Sequence, residues 1–277
     1  MAKGIGLIGN FRGKVGNMVG YNLKDSNNKQ TQGVRVYQPI VKNPKTYAQA
    51  EQRAKLSAIN ATYRALKAVI DRGQETKAYG NKSRLAWLSG ALKSFAGPYY
   101  VKGATVKFAA LVPLTKGSLP SLTVSDNGTR IGITAASVTT STELNTIGKV
   151  STALKADYPW LKDGDQITLV AVGNGLTALS ADVFSFIIDT TSAVATSKFA
   201  AAQGKINYDS AITGYCHAVI VSREGDNGEH LRSTSALSAD ESVTEMTPFA
   251  PEDKEESVRS YMGASATTDW PEEKVQG

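Results

Sequence analysis

Residues 4–41 run GIGLIGNFRGKVGNMVGYNLKDSNNKQTQGVRVYQPIV, with glycine at 4, 6, 9, 13, 16 and 20. Six glycines before residue 21 call for close backbone approach or turns at positive φ, and leave too little side chain to build an ordinary core. The apolar runs Ile5–Ile8 and Val15–Tyr21 are too glycine-rich for a helix, and Asp25-Ser26-Asn27-Asn28 marks a turn. Thr31–Tyr37 alternates as a strand suited to being lent to another sheet. The stretch is therefore expected to be an extended arm, residues 1–45, that becomes ordered against a partner. Its assembly contacts fall on Gly9, Phe11, Gly13, Gly16, Gly20, Val34, Val36 and Tyr37.

Working outward, Pro39 and Pro44 bound a linker, and Thr46 followed by Gln49 has the form of a capping box. Ala50, Ala54, Leu56, Ile59, Tyr63, Leu66, Val69 and Ile70 then recur at helical spacing, up to Arg72-Gly73. A second helix is expected over Asn81–Phe95, with Leu85, Leu88, Leu92 and Phe95 as its stripe and Gly97-Pro98 as its stop. The two helices form a hairpin, residues 46–98, whose stripes bury each other. Tyr99–Lys116 has the loose alternation of a strand region.

Beyond it, Ser121–Val124, Arg130–Thr134, Gln166–Gly173, Val183–Asp189 and Ala211–Arg223 are strand candidates, separated by turn signals such as Asp163-Gly164-Asp165. Ser141–Leu144 and Ser192–Gln203 are expected to be polar connections with short helices. The fold class expected is α+β: a Gly-rich arm, a basic helical hairpin, a mainly antiparallel β domain over 99–237 (sandwich or partial barrel), and an acidic tail over 238–277 with a brief helix at Asp253–Met262.

The net charge of +6 hides a polarity along the chain. Residues 1–116 hold 20 Lys or Arg against 4 Asp or Glu, a net of +16, and residues 117–277 hold 11 against 21, a net of -10. Two partners fit this asymmetry: a phosphate backbone, or the acidic end of a neighbouring copy. For nucleic acid the candidate residues are Arg12, Lys14, Arg35, Arg53, Lys55, Arg64 and Lys67.

Catalytic chemistry finds little material. Cys216 is the only cysteine, and His217 and His230 are the only histidines. Those counts exclude an intrachain disulfide and any site built on several imidazoles. Cys216 and His217, adjacent on a strand, point to opposite faces and make no nucleophile–base pair. GNFRGKVG lacks the Ser or Thr directly after Gly-Lys that a phosphate loop requires. Asp163/Asp165 and Asp226/Glu229 fit solvated hairpin tips. No catalytic, cofactor or metal site is expected, so the chain is taken as a non-enzyme. No run approaches 18 apolar residues, so neither a membrane span nor an export signal is expected.

GNFRGKVGNMVGY, VRVYQP and NPKTYAQAEQRAKL, together with HAVIVSREGDNGEHLRSTSAL downstream, resemble a group of uncharacterised proteins of gut Bacteroidales bacteria and their phages, mainly over residues 1–70. The resemblance implies a phage particle component, made in the host cytoplasm and located in the virion, or an associated DNA-binding protein. It carries over no catalytic residue. The expected function is a virion structural or assembly protein that forms a multi-copy layer or ring through its arm. The expected partners are copies of itself, other virion proteins or DNA.

Overall fold

The computed structural model describes residues 13–24, 30–37, 46–106, 109–126, 130–174, 179–210, 216–225, 229–239 and 251–262. It is a mixed α+β fold that separates into two compact units, residues 1–45 and 46–277.

In the first unit β1 (Gly13–Val15), β2 (Met18–Lys24) and β3 (Gln30–Val36) form an antiparallel meander in the order β1-β2-β3. Val15 pairs with Met18 across a two-residue turn, Gly16-Asn17, where φ of +58° at Gly16 suits the tight hairpins that match strand twist. The strand anticipated over Thr31–Tyr37 is present as β3. Its partner is β2 of the same chain, so this part of the arm folds back on itself instead of running extended. Ile5–Ile8 and the turn at Asp25–Asn28 lie outside the described residues.

The second unit contains α1 (Tyr47–Ala65), α2 (Lys67–Ile70), α3 (Asn81–Ser94), β4 (Pro113–Thr115), β5 (Val124–Asp126), β6 (Ile131–Thr134), α4 (Ile147–Asp157), β7 (Gln166–Asn174), β8 (Leu179–Ile187), β9 (Phe199–Ala202), β10 (Lys205–Tyr208), β11 (Cys216–Glu224), β12 (His230–Arg232), β13 (Ser235–Ala236), β14 (Ser238–Ala239) and α5 (Pro251–Met262). A central antiparallel sheet runs β12-β11-β7-β8, with β14 also pairing β11. A second sheet runs β5-β6-β10-β9, and β13 pairs β4. Among the described residues no sheet closes into a barrel.

Both faces of the central sheet are covered, which explains the nearly unbroken apolar runs of β7 and β11. Val170, Val172, Cys216, Ala218 and Ile220 share a core with Ile59, Leu66, Ile70 and Trp87 of the helices. Ile167, Leu169, Ala171, Val219 and Val221 share the other core with Ile133, Ile206 and Tyr208 of the second sheet and with Val150 and Leu154 of α4. The helical hairpin therefore buries its stripes mainly against a sheet, where mutual burial was expected. Leu85, expected in the stripe of α3, is exposed, while Trp87 and Ala91 are buried.

α1 starts where anticipated: the Thr46 hydroxyl caps it by accepting from the Gln49 N–H at 3.4 Å. α4 follows the connection expected over Ser141–Leu144, in a stretch to which no element was assigned. Thr146 caps it in the same way, and Ile147, Val150, Ser151 and Leu154 form its buried stripe. β9 likewise occupies part of the connection expected over Ser192–Gln203. Within Tyr99–Lys116 the only strand among the described residues is β4. Side chains take up the backbone there: Lys102 N–H donates to Ser260 Oγ at 2.8 Å, Tyr100 C=O accepts from Ser257, and Ala110 N–H donates to Thr62 Oγ1 at 2.9 Å. Those bonds replace ladder partners.

Ser257 and Ser260 belong to α5, which covers the tail's expected helix. Val258 and Met262 of α5 bury against Ala50, and Lys254 reaches Glu51 at 3.1 Å. This part of the acidic tail is docked on α1 of its own chain. Residues 240–250 and 263–277 lie outside the described set.

Candidate functional site

The strand registers sort the first unit into two faces. Residues directly opposite in an antiparallel ladder share a face. The pairs Met18–Val36 and Gly20–Val34 put three apolar residues, Met18, Val34 and Val36, on one side. Met18, Val34 and Val36 are 42%, 52% and 76% exposed. The pairs Lys14–Val19 and Val19–Arg35 put both cations on the other side. The Lys14 ammonium lies 3.6 Å from the centroid of the Tyr37 ring. On this second side Tyr21 lies over Gly33, where an added Cβ would stand 2.7 Å from the phenol ring. Gly33 is thus needed for the aromatic ring to cover bare backbone.

Of the expected assembly residues, Gly13, Gly16, Gly20, Val34, Val36 and Tyr37 are in or next to this meander. Gly9 and Phe11 lie outside the described residues. The expected cations are divided. Arg12 is outside the described set, and Lys14 and Arg35 share the meander's polar face. Arg53 and Arg64, eleven residues apart on α1, fall on one side of that helix, since eleven residues make about three turns. Arg64 lines an open groove of about 580 Å³ with Ser57, Asn60, Thr105 and Leu179. Lys55 points elsewhere and pairs with Glu51 at 3.1 Å, beside Lys254 of α5. Lys67 is exposed on α2.

Asp165 corrects the expectation of a solvated turn. It is 1% exposed, and its carboxylate is held by Arg223 and by the Lys162 N–H at 2.8 Å. Cys216 and His217 are both buried and project to opposite faces of β11. Among the described residues no group of three or more His, Cys, Asp or Glu is placed to hold a metal ion. No helix among them is long and apolar enough to cross a membrane.

A polar junction that sequence inspection missed centres on Glu75. Its carboxylate accepts from Ser118 N–H and Oγ–H, both at 2.8 Å, and from Arg232 N–H at 2.9 Å. Burial acts to raise its pKa, but these bonds and the Arg232 charge outweigh burial and leave it below the ordinary glutamate value. Nearby, the Tyr79 ring stands 5.3 Å from His230 and 5.7 Å from the Arg72 guanidinium. Clefts of about 350 and 650 Å³ flank the junction. Its members come from residues 72–79, 118 and 230–232, a separation that hides it from any local motif. Its bonds join the α2–α3 connection to β12, and its carboxylate is saturated by structural donors.

β8 was also missed as a surface. It is the edge strand of the central sheet, nine residues long, with Val183 and Ile187 at 39% and 58% exposure.

Together the folds define a two-unit α+β protein with an apolar meander face and a sheet edge, β8, that pairs with no further strand among the described residues. Comparison with family models, curated proteins and solved structures finds no match to this chain.

Proposed function

We propose that this protein is a non-enzymatic structural or assembly protein of a phage particle, building a multi-copy layer or ring through its N-terminal unit. The observation that carries the proposal is the exposed row Met18, Val34 and Val36 on a three-stranded sheet over which, among the described residues of its unit, no helix lies. Three strands need a covered apolar face for stability, and an exposed one is a docking face. The resemblance to proteins of Bacteroidales and their phages supports the virion setting. The second unit, with its two antiparallel sheets sharing one core as a sandwich, supplies the rigid body.

Light scattering on the purified full chain and on a variant lacking residues 1–41 tests this reading. The full chain is expected to give a large discrete assembly, and the shortened chain a folded monomer. Assembly that survives the deletion counts against the proposal.

A second reading is DNA binding. Lys14 and Arg35 sharing one face with Tyr37 favours it, because cations beside an aromatic ring suit a nucleic-acid strand. It predicts a monomer whose mass shifts only on adding DNA, with affinity falling steeply as salt rises.

A further inference from the structure

Among the described residues the meander and the body each present a strand edge without a partner strand. In an antiparallel strand the N–H and C=O of one residue point to the same side, and successive residues alternate. Tyr37 N–H donates to Asn17 C=O, so odd residues of β3 face β2, and Gln32, Val34 and Val36 turn their backbone outward. In β8 the following residue sets the phase. Ile188 N–H donates to Asp165 C=O, and its own C=O accepts from Gly164 N–H, both towards β7. Even residues of β8 therefore face β7, and Ala181, Val183, Ser185 and Ile187 face outward. Leu179 agrees, sending its N–H outward to Val106 C=O at 3.2 Å. Among the described residues the outward backbone groups of Val34, Val36, Ala181, Val183, Ser185 and Ile187 take no hydrogen bond.

We propose that β3 of one copy adds antiparallel to β8 of a second copy, extending the neighbour's central sheet. This inference rests on the assembly reading above and names the surface that receives the arm. Orientation follows from chemistry. In an antiparallel addition the outward residues of both strands stand opposite one another on a shared face. Val34 and Val36 then meet the side of β8 that exposes Val183 and Ile187. A parallel addition would instead set the valines beside the side of Asp182 and Phe184. The antiparallel register that places Val34 opposite Val183 also places Arg35 opposite Asp182 on the reverse face. Charge agrees along the sequence: residues 1–45 hold eight Lys or Arg and one acid, Asp25, whereas residues 179–189 hold Asp182 and Asp189 and no cation, with the Lys198 ammonium standing over the Phe184 ring on the reverse face. The contact is heterologous, since β3 meets β8 and not another β3. Such contacts propagate into rings or open arrays. β8 has no proline or lysine to blunt its edge.

The test uses full-length chains. Ser185→Pro removes an outward N–H at the centre of the proposed ladder, and Val183→Lys places a charge on the shared face without touching the backbone. Both are expected to stay folded by circular dichroism and to raise the concentration for half-assembly at least tenfold. If Ser185→Pro fails to fold, Val183→Lys decides. Separately, Val34→Cys chains are mixed with Val183→Cys chains and treated with a short bis-maleimide. Peptide mapping should find the two introduced thiols joined between chains, and a mixture of Val34→Cys with Val194→Cys, off this edge, should not match that yield. Wild-type-like assembly by folded β8 variants, or no preference in the cross-link, overturns the β3–β8 contact while leaving assembly standing. A wild-type chain that stays monomeric at all concentrations overturns both.

Discussion

Arg223 holds Asp165 in a two-pronged ion pair, Nε to Oδ1 at 2.6 Å and Nη2 to Oδ2 at 2.7 Å. The same guanidinium donates from Nη2 to the Trp160 C=O at 2.9 Å. The pair ties the end of β11 to the turn leading into β7.

Replacing Arg223 with alanine leaves a carboxylate that is 1% exposed without its cation. Removing one partner of a buried pair costs about 3–5 kcal/mol. Urea unfolding should report a loss of that size, and Arg223→Lys should recover only part of it because an ammonium cannot form the fork. A loss below about 1 kcal/mol would show that water compensates the pair.

Gly117 and Gly90 predict opposite signs for the same substitution. A Cβ on Gly117 would stand 2.1 Å from Arg232 O and 2.5 Å from Glu75 Oε2, whereas one on Gly90 meets nothing within 4 Å. Gly117→Ala should destabilise by about 1–3 kcal/mol or more through forced backbone movement. Gly90→Ala, on the exposed side of α3, should stabilise by about 0.5–1 kcal/mol through helix propensity. Thermal melts of the two variants measure both.

Glu75 makes stability depend on pH. Its folded pKa lies below the ordinary value because Arg232 and Ser118 donors outweigh the burial that acts against them. A depressed folded pKa contributes stability above the unfolded value, and that contribution is lost as pH falls through the folded one. Wild type should therefore exceed Glu75→Gln in stability at neutral pH, with the gap closing below about pH 5. A gap that is constant with pH would assign the effect to shape alone.

Val34→Lys with Val36→Lys should leave the folded body's stability within about 0.5 kcal/mol, because both positions are exposed. Analytical ultracentrifugation should nevertheless show assembly abolished. Assembly retained by this double variant would remove the apolar face from the mechanism.

Local chemistry carried part of this architecture on the surface of the sequence. Thr46 announces α1 because a capping hydroxyl and a 3.6-residue apolar period act within a few residues of chain. β6, β7 and β11 are legible for the same reason, as β-branched runs between turn residues. α4 was equally local in its signals, Thr146 and the Ile147, Val150, Leu154 spacing, but its Ser, Thr and Lys content resembles a polar connection until the core beneath it is known. The destination of each apolar face belonged to tertiary structure alone. Nothing near Ile59 or Trp87 specifies Val170 and Ile220 as partners, and nothing near Asp165 specifies Arg223, 58 residues away, because burial and ion pairing act across space irrespective of sequence separation. The edge of β8 was hidden for the same reason: whether a strand is central or free is set by what stands beside it, and only the strand order reveals that.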